Sequence, residues 1–499
     1  MNNPVYDTLF APHAGKETPF LYLPDGATLT HRDFIRRAAQ LAHALRGCDV
    51  QTGDRVAVQV EKSTDMLALY AACAQAGAVF LPLNTAYTAR ELGYFVSDSG
   101  AALLVGDLAR AEELQGVADE AGARFMTLHS GGGSLSDAAD GQPDHFETTA
   151  REVGDLAALL YTSGTTGRSK GAMLSHGNLI SNAATLTDLW QFTEADVLLH
   201  ALPIFHTHGL FVATNVMLMS GGAMVFMPKL DIDQLIDWMP RATAMMGVPT
   251  FYTRLLEDAR FDRACAANMR LFISGSAPLL AQTHVAFEER TGHRILERYG
   301  MTETNMNTSN PYEGERRAGT VGLPLPDVEL RIADADGTEL PRGETGVVEV
   351  RGPNVFSGYW NMPEKTAEEL RGDGFFITGD LGVQDTAGYV TIVGRGKDLI
   401  ISGGYNIYPK ELEQILDAQP DVLESAVIGI PHDDLGEVPL AVLVPEAGQQ
   451  IDLTVIEAAM TEALARFKQP RAYRLVEALP RNTMGKVQKV ALREAFKRG

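Results

Sequence analysis

The chain has 499 residues, 45% of them hydrophobic and 21% charged, enough to bury a sizeable core in more than one domain and too apolar for disorder. Its formal charge of −22 (42 Lys and Arg against 64 Asp and Glu) argues against nonspecific nucleic-acid binding, so an anionic substrate needs a local cationic site. Cys48, Cys73 and Cys265 are widely spaced and odd in number, which points away from disulfides and zinc and toward a reducing cytoplasm.

The first residues lack a charged region followed by a long apolar one, so no signal peptide is expected. No apolar run approaches the roughly 20 residues of a membrane span. Thr30 is placed to cap a helix with Phe34, Ala38, Leu41 and Leu45 on one face. Then come a strand from Arg55 to Val60, a helix from about Thr64 to Ala76 and a strand from Ala78 to Leu83. Further strands are expected at Leu103–Val105, Val197–Leu202, Met224–Phe226 and Phe272–Ser274. This alternation predicts an α/β fold with largely parallel sheets covered on both faces. The run from Ser130 to Pro143 reads as a mobile linker.

The most informative segment is Tyr161 to Gly171, Y-T-S-G-T-T-G-R-S-K-G, behind the apolar strand Leu156–Leu160. Its three glycines allow close backbone approach to polyphosphate, its five hydroxyls donate, and Arg168 and Lys170 add charge. It is not a Walker A loop, because Lys170 follows serine rather than glycine.

From about Val321 the pattern changes to short strands and turns, at Val328–Ile332, Gly346–Val350 and Tyr389–Val393, predicting a small antiparallel barrel or sheet. A compact α/β segment follows Gly394–Lys397. Arg298-Tyr-Gly-Met-Thr-Glu303 combines groups able to stack a base, approach and bond a phosphate, and ligate Mg²⁺. Thr378-Gly-Asp380 reads as a tight turn presenting a carboxylate to ribose hydroxyls, with Arg395 in reach of the same sugar. Each motif alone has an ordinary structural explanation, a surface turn or a solvated lysine.

Their order and spacing resemble the adenylate-forming superfamily of acyl-CoA synthetases, luciferases and peptide-synthetase adenylation domains. The resemblance runs from about Thr28 to Lys489 and includes Leu202-Pro-Ile-Phe-His206, Ser274-Gly-Ser-Ala-Pro278, Tyr359-Trp360, Gly394-Arg395-Gly-Lys-Asp398 and Gly485-Lys486. It implies a large domain, 1–396, of two parallel-sheet lobes and a β-barrel-like subdomain at about 321–396. A small mobile α/β domain, 397–499, would pivot at Lys397.

The implied substrates are ATP, with Mg²⁺, and CoA. Thr162, Ser163, Gly164, Thr165, Thr166, Gly167 and Lys170 would hold the β- and γ-phosphates. Gly275, Ser276 and Ala277 would edge the adenine pocket, with Tyr299, Gly300 and Met301 beside it. Asp380 and Arg395 would bind ribose, Thr302 the α-phosphate and Glu303 the metal. Lys486 would bridge the attacking carboxylate and the α-phosphate, and a lysine acetyltransferase would silence it. Ser402, Gly403 and Gly404 would line the CoA tunnel. Lys489 offers a second amine near Lys486.

E-R-Y-G-M-T-E-T and V-P-T-F-Y-T-R-L-L further resemble malonyl-CoA synthetases, with Arg298, Arg254 and His206 as polar groups for a distal carboxylate of malonate or methylmalonate. The alternatives are a monocarboxylate CoA ligase and a stand-alone adenylation enzyme that loads a carrier protein.

Overall fold

Two largely parallel sheets form the body of the molecule. The computed structural model describes residues 2–162, 169–402, 405–432, 435–464, 466, 468–482 and 485–496. One sheet has six strands in the order Arg124–Thr127, Leu103–Gly106, Arg55–Gln59, Val79–Pro82, Leu156–Thr162 and Lys170–Ser175. All its pairings are parallel except the last, where Leu156–Thr162 and Lys170–Ser175 form an antiparallel ladder. The phosphate-loop motif therefore lies between two strands paired along their length. The other sheet has nine strands, from Leu323–Pro324 at one edge to Thr28–Thr30 at the other.

Local signals explain the helices between them. The Thr30 side chain accepts from Asp33 N at the start of His31–Gly47, which buries Phe34, Ala38, Leu41 and Leu45 as expected. Ser63 caps Thr64–Ala76, and Gly77 ends it in the left-handed region at φ 70°, where a glycine carries no Cβ penalty. The expected linker is instead partly structured. Ser134–Ala139 is a helix that buries Leu135 and Ala139, and Ser136 Oγ lies 3.2 Å from Asp65. Two apolar positions on one turn were enough to dock it, a signal hidden among the flanking glycines.

Buried Lys62 ties the two lobes. Its ammonium donates to His200 O at 2.8 Å and Leu202 O at 2.9 Å, and stands 3.0 Å from His200 Nδ1. Three acceptors match its three hydrogens, while burial holds the ammonium well below its ordinary value.

Beyond the body, Glu329–Ala333, Thr345–Arg351, Phe376–Gln384 and Val390–Arg395 make a four-stranded antiparallel sheet, the open form of the expected barrel or sheet. Residues from Ile400 onward build a separate five-stranded sheet, led by the long hairpin Val422–His432 and Gly436–Pro445. The apolar clusters of this last unit share no member with those of the body. Among the described residues no helix is long and apolar enough to cross a membrane.

Candidate active site

The strand Leu296–Met301 organises the site. It is the last parallel strand of the large sheet, and residues 302–304 turn it back into Asn305–Ser309. Alternation sends Arg298 and Tyr299 to opposite faces. Gly300 is required by this hairpin, because a Cβ there would lie 1.9 Å from Asn305 O.

On one face the Tyr299 hydroxyl donates to Asp380 Oδ2 at 2.6 Å, while Arg395 Nε stands 2.8 Å from Asp380 Oδ1. Asp380 and Arg395 are also direct partners across their strands. Asp380 was expected in a tight turn but sits within the strand Phe376–Gln384, with Gly379 at φ 71° bending the chain beside it. A single positive-φ glycine sufficed to present the carboxylate without ending the strand. Burial and the neighbouring Asp380 push the Tyr299 hydroxyl well above its ordinary value.

On the other face Arg298 is 4% exposed and has no ion pair among the described residues. Its Nε and Nη2 lack hydrogen-bond partners. Burial pushes its guanidinium down to about 9, which still leaves it charged at neutral pH. Gly275 opposes it, Ser276 follows in a left-handed conformation at φ 71°, and Ser276 Oγ lies 3.1 Å from His208 Nδ1. Ala277 continues this loop, partly exposed. Burial, then the Arg298 charge, hold His208 well below the usual histidine value, and burial lowers His206 to about 4. Both rings are neutral at pH 7, so Arg298 is the cation of this cluster. His206 lies nearby, on the segment leading into the helical turn His208–Thr214.

Arg254 differs. It lies exposed on the helix Pro249–Glu257, where it is solvated rather than buried with Arg298. Tyr252 of the same helix is the buried residue whose charge state Arg298 influences. His208 and Tyr252 were missed in the sequence; the paired histidines in His206-Thr-His208 were the available signal.

Glu303 is buried in the turn after Met301, next to partly buried Thr302. Its Oε1 lies 3.0 Å from the Tyr359 hydroxyl. Burial raises its carboxyl above the ordinary value, against the lowering influence of Lys170 and Tyr359. Lys170 stands 4.0 Å above the Tyr359 ring, and Thr162 Oγ1 lies 3.4 Å from Lys170 O. Ser163, Gly164, Thr165, Thr166 and Gly167, with Gly403 and Gly404, lie outside the described residues. Glu303, beside the Tyr359 hydroxyl, fits Mg²⁺, which keeps several waters and takes one or two carboxylates plus substrate phosphates.

The C-terminal unit adds Lys486 to this cleft. Gly485 turns at φ 74° close to Thr250, and Asn482 Oδ1 accepts from Lys486 N at 2.9 Å. Solvent still reaches the Lys486 side chain, yet desolvation, then Arg395, lower its ammonium, while Asp380, Asp398 and Glu303 oppose the shift. Lys397, in the turn Gly396–Asp398, is lowered to about 8 by desolvation, Arg395 and Lys486 together. Ser402 is buried at the end of Ile400–Ser402, paired with Tyr405 and Gly436. Lys489 is no spare amine: it lies 2.6 Å from Glu413 Oε1 in a largely buried ion pair.

The sequence matches the AMP-binding enzyme family over residues 11–360 and the AMP-binding enzyme C-terminal domain over 411–486. A feruloyl-CoA synthase of an Amycolatopsis species is 37% identical over 475 residues, covering 94% of each chain. A malonate–CoA ligase of Arabidopsis thaliana is 35% identical over 499 residues, covering 93% of this chain and 82% of the relative. The crystal structure of ATP-bound MatB from Rhodopseudomonas palustris superposes with a TM-score of 0.98 at 54% identity, covering 100% of this chain and 99% of that one. The chain belongs to the AMP-binding enzyme family, within which it is an AMP-forming acid–CoA ligase.

Proposed function

We propose that this ligase activates malonate, and methylmalonate alongside it. The carrying observation is Arg298: a buried guanidinium without an ion pair costs several kcal/mol unless a ligand supplies the anion. The distal carboxylate of a malonate-type acid is such an anion, and Ser276 and the neutral His208 add hydrogen-bonding groups beside it. Arg254 makes no comparable case, because it is exposed and water already satisfies it. The Arabidopsis relative bears the name of the same activity. An aromatic acid, as in the feruloyl-CoA synthase, is the second reading, but its ring would leave Arg298 uncompensated.

In the first half-reaction a carboxylate oxygen of the acid attacks the α-phosphorus of ATP, and the bond to pyrophosphate breaks. Asp380 and Arg395 hold the ribose, with Tyr299 against the adenine. The loop from Thr162 to Lys170 takes the outer phosphates and Thr302 the α-phosphate. Lys486 neutralises the two anions as they approach, an electrostatic role that needs no covalent nucleophile. Glu303 would hold Mg²⁺, which would supply positive charge to the phosphates. In the second half-reaction the CoA thiol attacks the acyl carbonyl and AMP leaves. Domains 1–396 and 397–499 pivot at Lys397 between the two, withdrawing Lys486 and bringing Ser402 to the CoA path. The exposure of Lys486 also leaves it open to a lysine acetyltransferase.

The test is AMP and pyrophosphate release with malonate, methylmalonate, acetate, octanoate and a benzoate, each with and without CoA. The expected outcome is CoA-dependent turnover with the dicarboxylates alone, abolished at ordinary malonate concentrations by Arg298→Ala. Turnover confined to monocarboxylates would remove the malonate reading and keep the ligase.

A further inference from the structure

Glu369 ends the helix Pro363–Glu369, outside every motif used above. Each of its carboxylate oxygens lies 3.1 Å from Lys170 Nζ. Its Oε2 is 2.6 Å from the Tyr359 hydroxyl, and its Oε1 is 3.0 Å from Lys365 Nζ. The same Tyr359 hydroxyl reaches Glu303, and the Tyr359 ring lies under Lys170. The cation assigned to the outer phosphates is thus already held by a carboxylate of the protein, in a pair only about one-fifth exposed on either side.

We propose that Glu369 is a positioning residue that stands in for the nucleotide: it holds Lys170 while ATP is absent and yields it to the polyphosphate when ATP enters. This rests on the reading that Lys170 meets the ATP phosphates. The exchange strands no charge, because Glu369 keeps the Tyr359 hydroxyl and the Lys365 ammonium after Lys170 leaves. Tyr359 links the exchange to Glu303. Its one hydroxyl hydrogen has two takers, and the shorter contact is to Glu369. Loss of Lys170 strengthens that preference and leaves Glu303 Oε1 open to the positive partner that arrives with the nucleotide.

Glu369 opposes ATP twice, by competing for Lys170 and by repelling the phosphates, so removing its charge at constant size strengthens binding. Calorimetric titration of ATP with Mg²⁺, in the absence of acid, tests this on full-length Glu369→Gln, Glu369→Asp, Lys170→Met and the Glu369→Gln/Lys170→Met pair. The expected result is about threefold to fivefold tighter binding for Glu369→Gln, with the gain shrinking at high salt. Glu369→Asp keeps the charge and stays near the parent value. Lys170→Met weakens binding, and the double variant gains less from losing Glu369 than the parent does. Unchanged or weaker binding by Glu369→Gln overturns the proposal, as does equal loss in the glutamine and aspartate variants, which marks a purely structural helix end. ATP affinity untouched by Lys170→Met removes the underlying reading of Lys170, whatever Glu369→Gln shows.

Discussion

A methyl group on Gly275 would lie 2.4 Å from both Cζ and Nη1 of Arg298, so the buried guanidinium fills space that only a glycine leaves. Gly275 follows the buried strand Leu271–Ser274, and its partners there leave the backbone little freedom to retreat. The flexible partner is Arg298, whose displacement would move the pocket's cation.

Gly275→Ala is therefore expected to raise the KM for the acid about tenfold or more through the displaced guanidinium, with a smaller rise in the KM for ATP, because Gly275 would also edge the adenine pocket while the Tyr299–Asp380–Arg395 set on the opposite strand face stays in place. Steady-state kinetics with each substrate varied in turn check the split. Equal losses for both substrates would mean the whole loop had moved.

Lys486→Ala is expected to slow adenylate formation by about two to four orders of magnitude while sparing thioester formation from supplied acyl-adenylate. Lys489 offers no rescue, since its ammonium is committed to Glu413. Single-turnover assays of the two half-reactions check this, and substantial residual adenylation would point back to a second amine.

Lys397→Pro restricts φ in the turn Gly396–Asp398, the one short segment between the body and the C-terminal sheet. Thioester formation is expected to fall more than adenylation, because Lys486 already stands among Arg395, Asp380 and Glu303 in this arrangement. Separate assays of the two half-reactions provide the comparison, and equal losses would count against a pivot at Lys397.

Acid should destabilise the fold through buried neutral histidines. The His13 and His31 rings stack with centroids 4.5 Å apart, and their Nε2 atoms lie 2.7 Å from Leu218 O and 3.2 Å from Gly221 O. Burial, then His13, lower His31 to about 4, below the value of about 6.5 in an unfolded chain. The unfolded state binds more protons between these values, so this contribution is complete above about 6.5 and is lost as pH falls through 4. The limiting loss from His31 alone is roughly 3 kcal/mol. Urea unfolding from pH 7.5 to 4.5 should show stability falling with pH, with a shallower fall in His31→Gln. A slope unaffected by that substitution would assign the acid sensitivity elsewhere.

Sequence alone made the fold class and many of the individual helices and strands legible, because periodic apolar runs, capping residues and glycine turns act over a few neighbours. The helix Thr64–Ala76 and the strands around Leu103 and Phe272 were legible for that reason. What it left open depends on groups distant in the chain. Arg254 and Arg298 look equivalent as letters, but one lies on an exposed helix face and the other beneath Gly275, where desolvation makes its charge costly without an anion. Lys489 looked like a spare amine until Glu413, on another element, claimed it. Glu369 carried no motif, and only folding brought it to Lys170 and Tyr359 from almost 200 positions away along the chain from the lysine. Local physics wrote the elements into the sequence; burial and charge pairing across the chain decided which of its polar residues share a site.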